Sequence, residues 1–94
     1  MSDMKIVRCN GSGVWAAEIV RRNGDTAVLT NAIRLWFWDG AASLSELAMT
    51  GTKKPEECKF CVPVDEVEVF NIVEILSVTD EAEKSIKGVT SWTA

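Results

Sequence analysis

Histidine is missing from this chain. Without an imidazole the sequence lacks the commonest general base and the commonest neutral metal ligand, and the usual triads of Ser or Cys with His are excluded. Ser43, Ser45 and the cysteines therefore have no base beside them to make a nucleophile, and the expectation is a protein that is not an enzyme and carries no cofactor. Cysteine is scarce and odd in number: Cys9, Cys58 and Cys61. With no secretory context, reduced thiols are the default. Cys58 and Cys61 form CKFC, which superficially resembles a redox or zinc pair. In an extended segment, however, residues three apart point to opposite faces, and a zinc site needs four ligands where only Cys9 is left to help. Buried or half-buried thiols are the favoured reading. Proline occurs twice, no internal repeat or low-complexity segment is present, and no apolar run approaches the length that spans a bilayer. The opening MSDMKIVRC lacks the apolar stretch of a signal peptide, which predicts a cytoplasmic protein.

What is present is an ordinary globular composition, 47% hydrophobic and 26% charged over 94 residues, which predicts one domain over 1–94 with a modest core. The net charge of −4 is unevenly placed. Residues 1–54 carry seven Lys/Arg against five Asp/Glu, and residues 55–94 carry three against nine, so the halves are +2 and −6. An acidic second half argues against wrapping nucleic acid, which requires a basic face, but leaves room for a small anion held by local cations.

Alternation of apolar and polar residues predicts extended segments at Met4 to Cys9, at VWAAEIVR, and from Thr26 onward, with NGSG at residues 10–13 as a break. Asn23-Gly24 predicts a type I′ hairpin turn between the second and third segments. The third continues toward Trp38, either unbroken or interrupted by a bulge near Asn31 and Ala32. GAASLSELAMTG reads as a short helix, with Asp39 or Ser43 as cap and Gly51 at its end. Phe60, Val62 and Val64 are in phase for another strand, and Val67 to Val78 is one bent strand or two meeting near Asn71. Thr79 caps a last helix that Gly88 stops. The fold class expected is α+β: a small antiparallel β-sheet or partly open barrel with one inserted short helix and a C-terminal helix.

The stretch IRLWFWDG at residues 33–40 carries the candidate site. As a strand it places Arg34, Trp36 and Trp38 on one face and Ile33, Leu35 and Phe37 on the other. If the following helix folds over the first face, the tryptophans are a second core layer. If one stays open beside Arg34, it offers a stacking platform and a guanidinium, which suit a nucleobase and its phosphate or a protein partner. Lys53 and Lys54 form a nearby basic pair that can add to phosphate binding, and Asn31 is counted with them as a ligand-binding candidate. The small-residue run DGAAS could admit an anion at a helix amino terminus, with a capping Asp39 as the plainer explanation. Arg21 and Arg22 flank the hairpin tip as solvated charges.

From NAIRLWFWDGAASLSELAMTGTKKPEECKFCVPVDEVEV the chain resembles a family of small proteins of unknown function found mainly in bacteriophages and prophages. The family pattern runs from an asparagine and a basic residue through an aromatic triplet, DGAASLSQLA and a basic loop to CKF and VPVDE, and the match covers about residues 28 to 80. Ile33 stands where the pattern has a basic residue, Phe37 where it has tyrosine, and Cys61 where it has serine. The resemblance implies phage origin, cytoplasmic residence in an infected bacterial host, and no particular activity. In that setting the first expectation is a homo-oligomeric anti-defence protein that sequesters a nucleotide-type host immune signal. The alternatives are a protein-binding inhibitor of a nuclease or CRISPR complex, whose acidic half imitates nucleic acid, and a virion accessory protein.

Overall fold

The computed structural model describes residues 2–94 and shows an α+β fold, an open six-stranded antiparallel sheet with one inserted and one C-terminal helix. Its strands are β1 (Lys5–Cys9), β2 (Gly13–Asn23), β3 (Thr26–Phe37), β4 (Lys59–Phe60), β5 (Val64–Val69) and β6 (Ile72–Ser77). Helix α1 (Leu44–Thr50) lies between β3 and β4, and α2 (Asp80–Lys87) follows β6. The hydrogen-bonded order is β4-β3-β2-β1-β6, with β5 pairing the first half of β3. Thus β3 serves two partners along its length: Ala27 to Ala32 face β5, and Leu35 to Phe37 face β4.

This order forces curvature. Four strand spacings separate β5 from β6 through β3, β2 and β1, about 19 Å if the sheet were flat. Only Phe70 and Asn71 join them in sequence, and that link spans at most about 11 Å between the flanking Cα atoms. The sheet therefore bends until its two ends approach. Asn71 makes the corner with φ 60, a value asparagine tolerates better than most side chains. Its carbonyl accepts the Asn10 N–H at 2.9 Å, and the next amide, Ile72 N–H, donates to the Asp25 carbonyl at 2.9 Å. The run from Val67 to Val78 is accordingly two strands meeting at Asn71.

The hairpin turn differs from expectation by one residue. Asn23 pairs with Thr26, so the central residues are Gly24 and Asp25, and only Gly24 has positive φ, at 63. That is the pattern of a II′ turn, with glycine first, in place of a I′ turn centred on Asn23-Gly24. The single step matters twofold for register: a turn centred on Asn23-Gly24 would set Trp15 opposite Ala32, whereas the observed turn sets it opposite Arg34.

Two register shifts in the β2/β3 pair offset one another, one between Ile19 and Arg21 and one between Ala16 and Glu18. The second is an extra residue on β3, where Asn31 sits at φ 49. A bulge of this kind re-aims every later side chain. Ala27 and Leu29 point into the curl of the sheet, and after the bulge Ala32 does so, three positions on instead of two.

Both faces of the sheet are apolar. The outer one carries Ile6, Ala16, Ile33, Leu35 and Phe60 and is covered by Leu47 and Ala48 of α1 and Ala82 and Ile86 of α2. The inner one, closed by the curl itself, holds Val7, Cys9, Trp15, Ala17, Leu29 and Val69. Ser43 caps α1, its Oγ accepting the Glu46 N–H at 3.1 Å, so the helix starts after the DGAAS run and does not include it. Thr79 caps α2 in the same way through Ala82 N–H at 3.0 Å. Among the described residues, no helix is long and apolar enough to cross a membrane.

Candidate functional site

Arg34 is the first site residue that the register explains. It is the cross-strand partner of Trp15, and its Cζ lies 4.3 Å from the centroid of that indole. A cation–π contact of this kind positions the guanidinium through its charge over the ring and not through a hydrogen bond from its N–H groups. Those groups have no hydrogen-bond or ion-pair acceptor among the described residues. Trp15 is 4% exposed and anchored in the inner core, so the arginine rests on an immobile ring.

Trp36 follows on the same side of β3 and remains 64% exposed. A second irregularity then interrupts the strand: Leu35 faces Phe60 and Phe37 faces Lys59, two residues of β3 spanning one step of β4. Simple alternation fails here. Phe37, expected on the core face, is exposed, while Trp38 leaves the strand and packs against the outer, helix-covered cluster. Arg34 and Trp36 thus share a face as expected, and Trp38 approaches from the rim. All three nevertheless line one surface groove of about 310 Å³, completed by Leu35, Val14 and the turn at Gly11, Ser12 and Gly13.

The other candidates lie elsewhere. Asn31 is the bulge residue of β3, exposed but outside the groove, and its left-handed backbone accounts for an asparagine there. Lys53 and Lys54 are exposed on the loop after α1, and neither lines the groove. That loop also answers the question posed by DGAAS. Lys53 N–H donates to the Gly40 carbonyl at 3.1 Å, and a Cβ on Gly40 would stand 2.4 Å from the Lys54 nitrogen. The space where an anion could approach is filled by the protein's own backbone, and glycine is needed to let it pass.

Two contributors are not among the candidates that the sequence offers for the site, although the sequence leaves Trp92 either to dock on the body or to fray. Trp92, near the end of the chain, docks beside β4: its N–H donates to the Phe60 carbonyl at 2.9 Å and its ring stacks on Trp36, centroids 6.4 Å apart and planes inclined by 13°. Lys59 lies 5.3 Å from the Trp92 centroid. An isolated tryptophan in a polar tail gives no periodic signal, so only the tertiary contact identifies it. The second is Ser12, whose Oγ accepts the Trp15 Nε1–H at 3.4 Å. Ser12 reads in sequence as a turn residue, because its partnership with Trp15 depends on how the turn folds back.

The cysteines show no redox or metal arrangement. Cys58 and Cys9 are buried, Cys61 is half-buried, and all three are free thiols. Among the described residues no group of three or more His, Cys, Asp or Glu is placed to hold a metal ion. Chemically, the groove offers a flat aromatic surface, one fixed guanidinium and a hydroxyl. That is equipment for holding a planar anionic molecule.

No curated protein and no solved structure matches the chain. One family model matches residues 3–86, nearly the whole chain, and by that match the protein belongs to the family described as Domain of unknown function (DUF6948).

Proposed function

We propose that this is a non-enzymatic binding protein that takes a nucleotide-type ligand in the groove between Trp36, Trp38 and Arg34, and that it acts in a phage setting by sequestering a host immune signal. The observation that carries the binding reading is the Arg34 guanidinium, held 4.3 Å over a buried indole and without an acceptor among the described residues, beside a tryptophan that is largely open to solvent. Every nucleobase has a face that stacks on an indole, and a pre-set guanidinium meets phosphate oxygens at little ordering cost. The anti-defence role is supported by the resemblance of residues 28–80 to phage and prophage proteins.

The test is a thermal-shift and tryptophan-fluorescence screen of the purified protein against cyclic nucleotides and ADP-ribose derivatives, with Arg34→Ala applied to any hit. A saturable response that disappears in the variant supports sequestration at this groove. A blank across the panel overturns it.

A second reading has its own observation. Among the described residues β5 pairs only with β3, and its Asp65, Glu66 and Glu68 are exposed, with Glu56 and Glu57 also exposed nearby in sequence. A protein-binding inhibitor would use this edge in place of nucleic acid. Reversing the charges of Glu56, Glu57, Glu66 and Glu68 then abolishes partner capture, and indifference to those reversals rejects it.

A further inference from the structure

Resting on the proposed nucleotide reading, we infer that Ser12 and Arg34, both positioned by Trp15, form a cradle for one phosphoryl group, so that the ligand class is a mononucleotide. Trp15 holds the two donors from different directions. Its π face carries the Arg34 guanidinium at 4.3 Å, and its Nε1–H donates to Ser12 Oγ at 3.4 Å. Accepting that bond turns the Ser12 hydroxyl proton away from the indole, and no acceptor for it exists among the described residues. Both side chains line the same groove of about 310 Å³. The indole that contacts both is buried, which narrows their relative placement before any ligand arrives.

Among the described residues, the groove is lined by one cation, Arg34. Its other lining residues, Gly11, Gly13, Val14, Leu35, Trp36 and Trp38, carry no charge, and Lys53, Lys54 and Lys59 lie outside it. One guanidinium and one hydroxyl match a single phosphate. A second or third phosphate would extend beyond the cradle with no cation to receive it, on a protein whose net charge is −4. The groove is also at the small end of the range for ligand pockets, the size of a mononucleotide rather than of a dinucleotide or an oligonucleotide. Arg34 and Ser12 together thereby separate a nucleotide from its nucleoside, the guanidinium contributing the larger share.

The experiment titrates wild-type protein and Ser12→Ala, by tryptophan fluorescence, with the four ribonucleoside 5′-monophosphates, their 3′,5′-cyclic forms, the matched nucleosides and the triphosphates. In wild type, at least one monophosphate or cyclic form binds about tenfold or more tighter than its nucleoside, and the triphosphate gains nothing further. Ser12→Ala narrows that preference by about threefold, and Arg34 supplies the remainder. Trp15→Phe, which keeps an aromatic face for Arg34 but deletes the N–H that orients Ser12, reproduces the loss in part. Nucleosides binding as tightly as their phosphates would overturn the cradle while leaving the stacking site intact. A triphosphate binding tenfold tighter than its monophosphate would overturn the single-phosphate assignment. Absence of any saturable response to both nucleosides and nucleotides would overturn the functional reading, and the cradle with it.

Discussion

The two faces of the sheet are equally apolar but are closed by different means. The outer face is capped by two helices, and Phe60 of the sheet is almost fully withdrawn from water against Leu47 of α1 and Ala82 and Ile86 of α2. The inner face is closed only by the curl of the sheet, and the curl does not reach its end. There β4 contributes just two residues, too few to cover the last turn of β3, so Arg34 and Trp36 emerge beside the buried Trp15. A sealed layer supplies stability and an unfinished one supplies a surface. If that division is correct, substitutions in the two layers will separate folding from binding.

The largest effect is expected at Phe60→Ala. Phe60 is among the largest fully buried side chains of the outer layer, and truncating a phenylalanine in such a site costs about 3 to 5 kcal/mol. In a domain of this size, each kcal/mol corresponds to about 4 to 8 °C in melting temperature. Thermal unfolding followed by circular dichroism should show a fall of at least 12 °C or so, or no folded protein. A loss under about 1 kcal/mol would mean that the helix-covered layer is not the seat of stability.

Next in size is Gly51→Ala, which attacks the seam between the two helices. Gly51 ends α1 at φ 78, ψ −156, a region essentially reserved for glycine, and an added Cβ would stand 2.3 Å from the Cβ of Ser85 on α2. Backbone strain and the clash together should cost about 2 kcal/mol or more in urea unfolding. Ser85→Gly gives up the Oγ that accepts the Thr52 N–H at 3.0 Å, so it is measured alone as well. A double variant more stable than the sum of the two single losses would measure the clash, and strict additivity would show that only the backbone term operates.

Trp36→Ala should do the reverse of Phe60→Ala. Trp36 lies mostly in solvent, so its loss should change stability by no more than about 0.5 kcal/mol while abolishing the nucleotide response. The neighbouring Trp92 sharpens the point, since it is 47% exposed and stacks on Trp36 from outside the sheet. Should Trp36→Ala destabilise as strongly as Phe60→Ala, the open rim would have to be reclassified as core.

The same division explains what could be read from sequence. Periodicity located both helices and the Thr79 cap, offered Ser43 beside Asp39 as the first cap, and offered a break near Asn71 beside a single bent strand, because each is a local competition between backbone and side-chain chemistry. It paired Arg34 with Trp36 for the same reason. Trp38 and Phe37 exchanged places because a bulge against β4 adds one residue, and a single added residue reverses every later side chain. Trp15 as the partner of Arg34 was hidden behind a turn displaced by one position. Trp92 was hidden behind the whole fold, since nothing local connects residue 92 to residue 36. Sites built across strands are legible only when the register is known, and the register here depends on Gly24, Asn31 and the length of β4.

The smallest effect belongs to the outer layer's solvent side and tests whether charge adds anything to what packing has fixed. Lys87 Nζ lies 2.5 Å from Glu83 Oε2 one turn away on α2, and Ser2 donates to the other carboxylate oxygen. The bond from Lys87 first, and then that from Ser2, holds the Glu83 carboxyl below its ordinary 4.5, while Glu83 raises Lys87 above its ordinary 10.5. A lowered acid stabilises the fold above its unfolded pKa and loses that contribution as the pH falls through its folded value. A raised base does so below its unfolded pKa and loses it as the pH rises through its folded value. The pair therefore contributes fully between about 4.5 and 10.5 and fades on either side. Because Lys87 is half exposed, screening limits the contribution to about 0.5 kcal/mol. Glu83→Gln should be less stable than wild type by about that amount near neutral pH, and urea curves of the two should converge as the solution is acidified well below pH 4.5. A gap that persists in acid would assign Glu83 to packing against the amino-terminal segment rather than to charge.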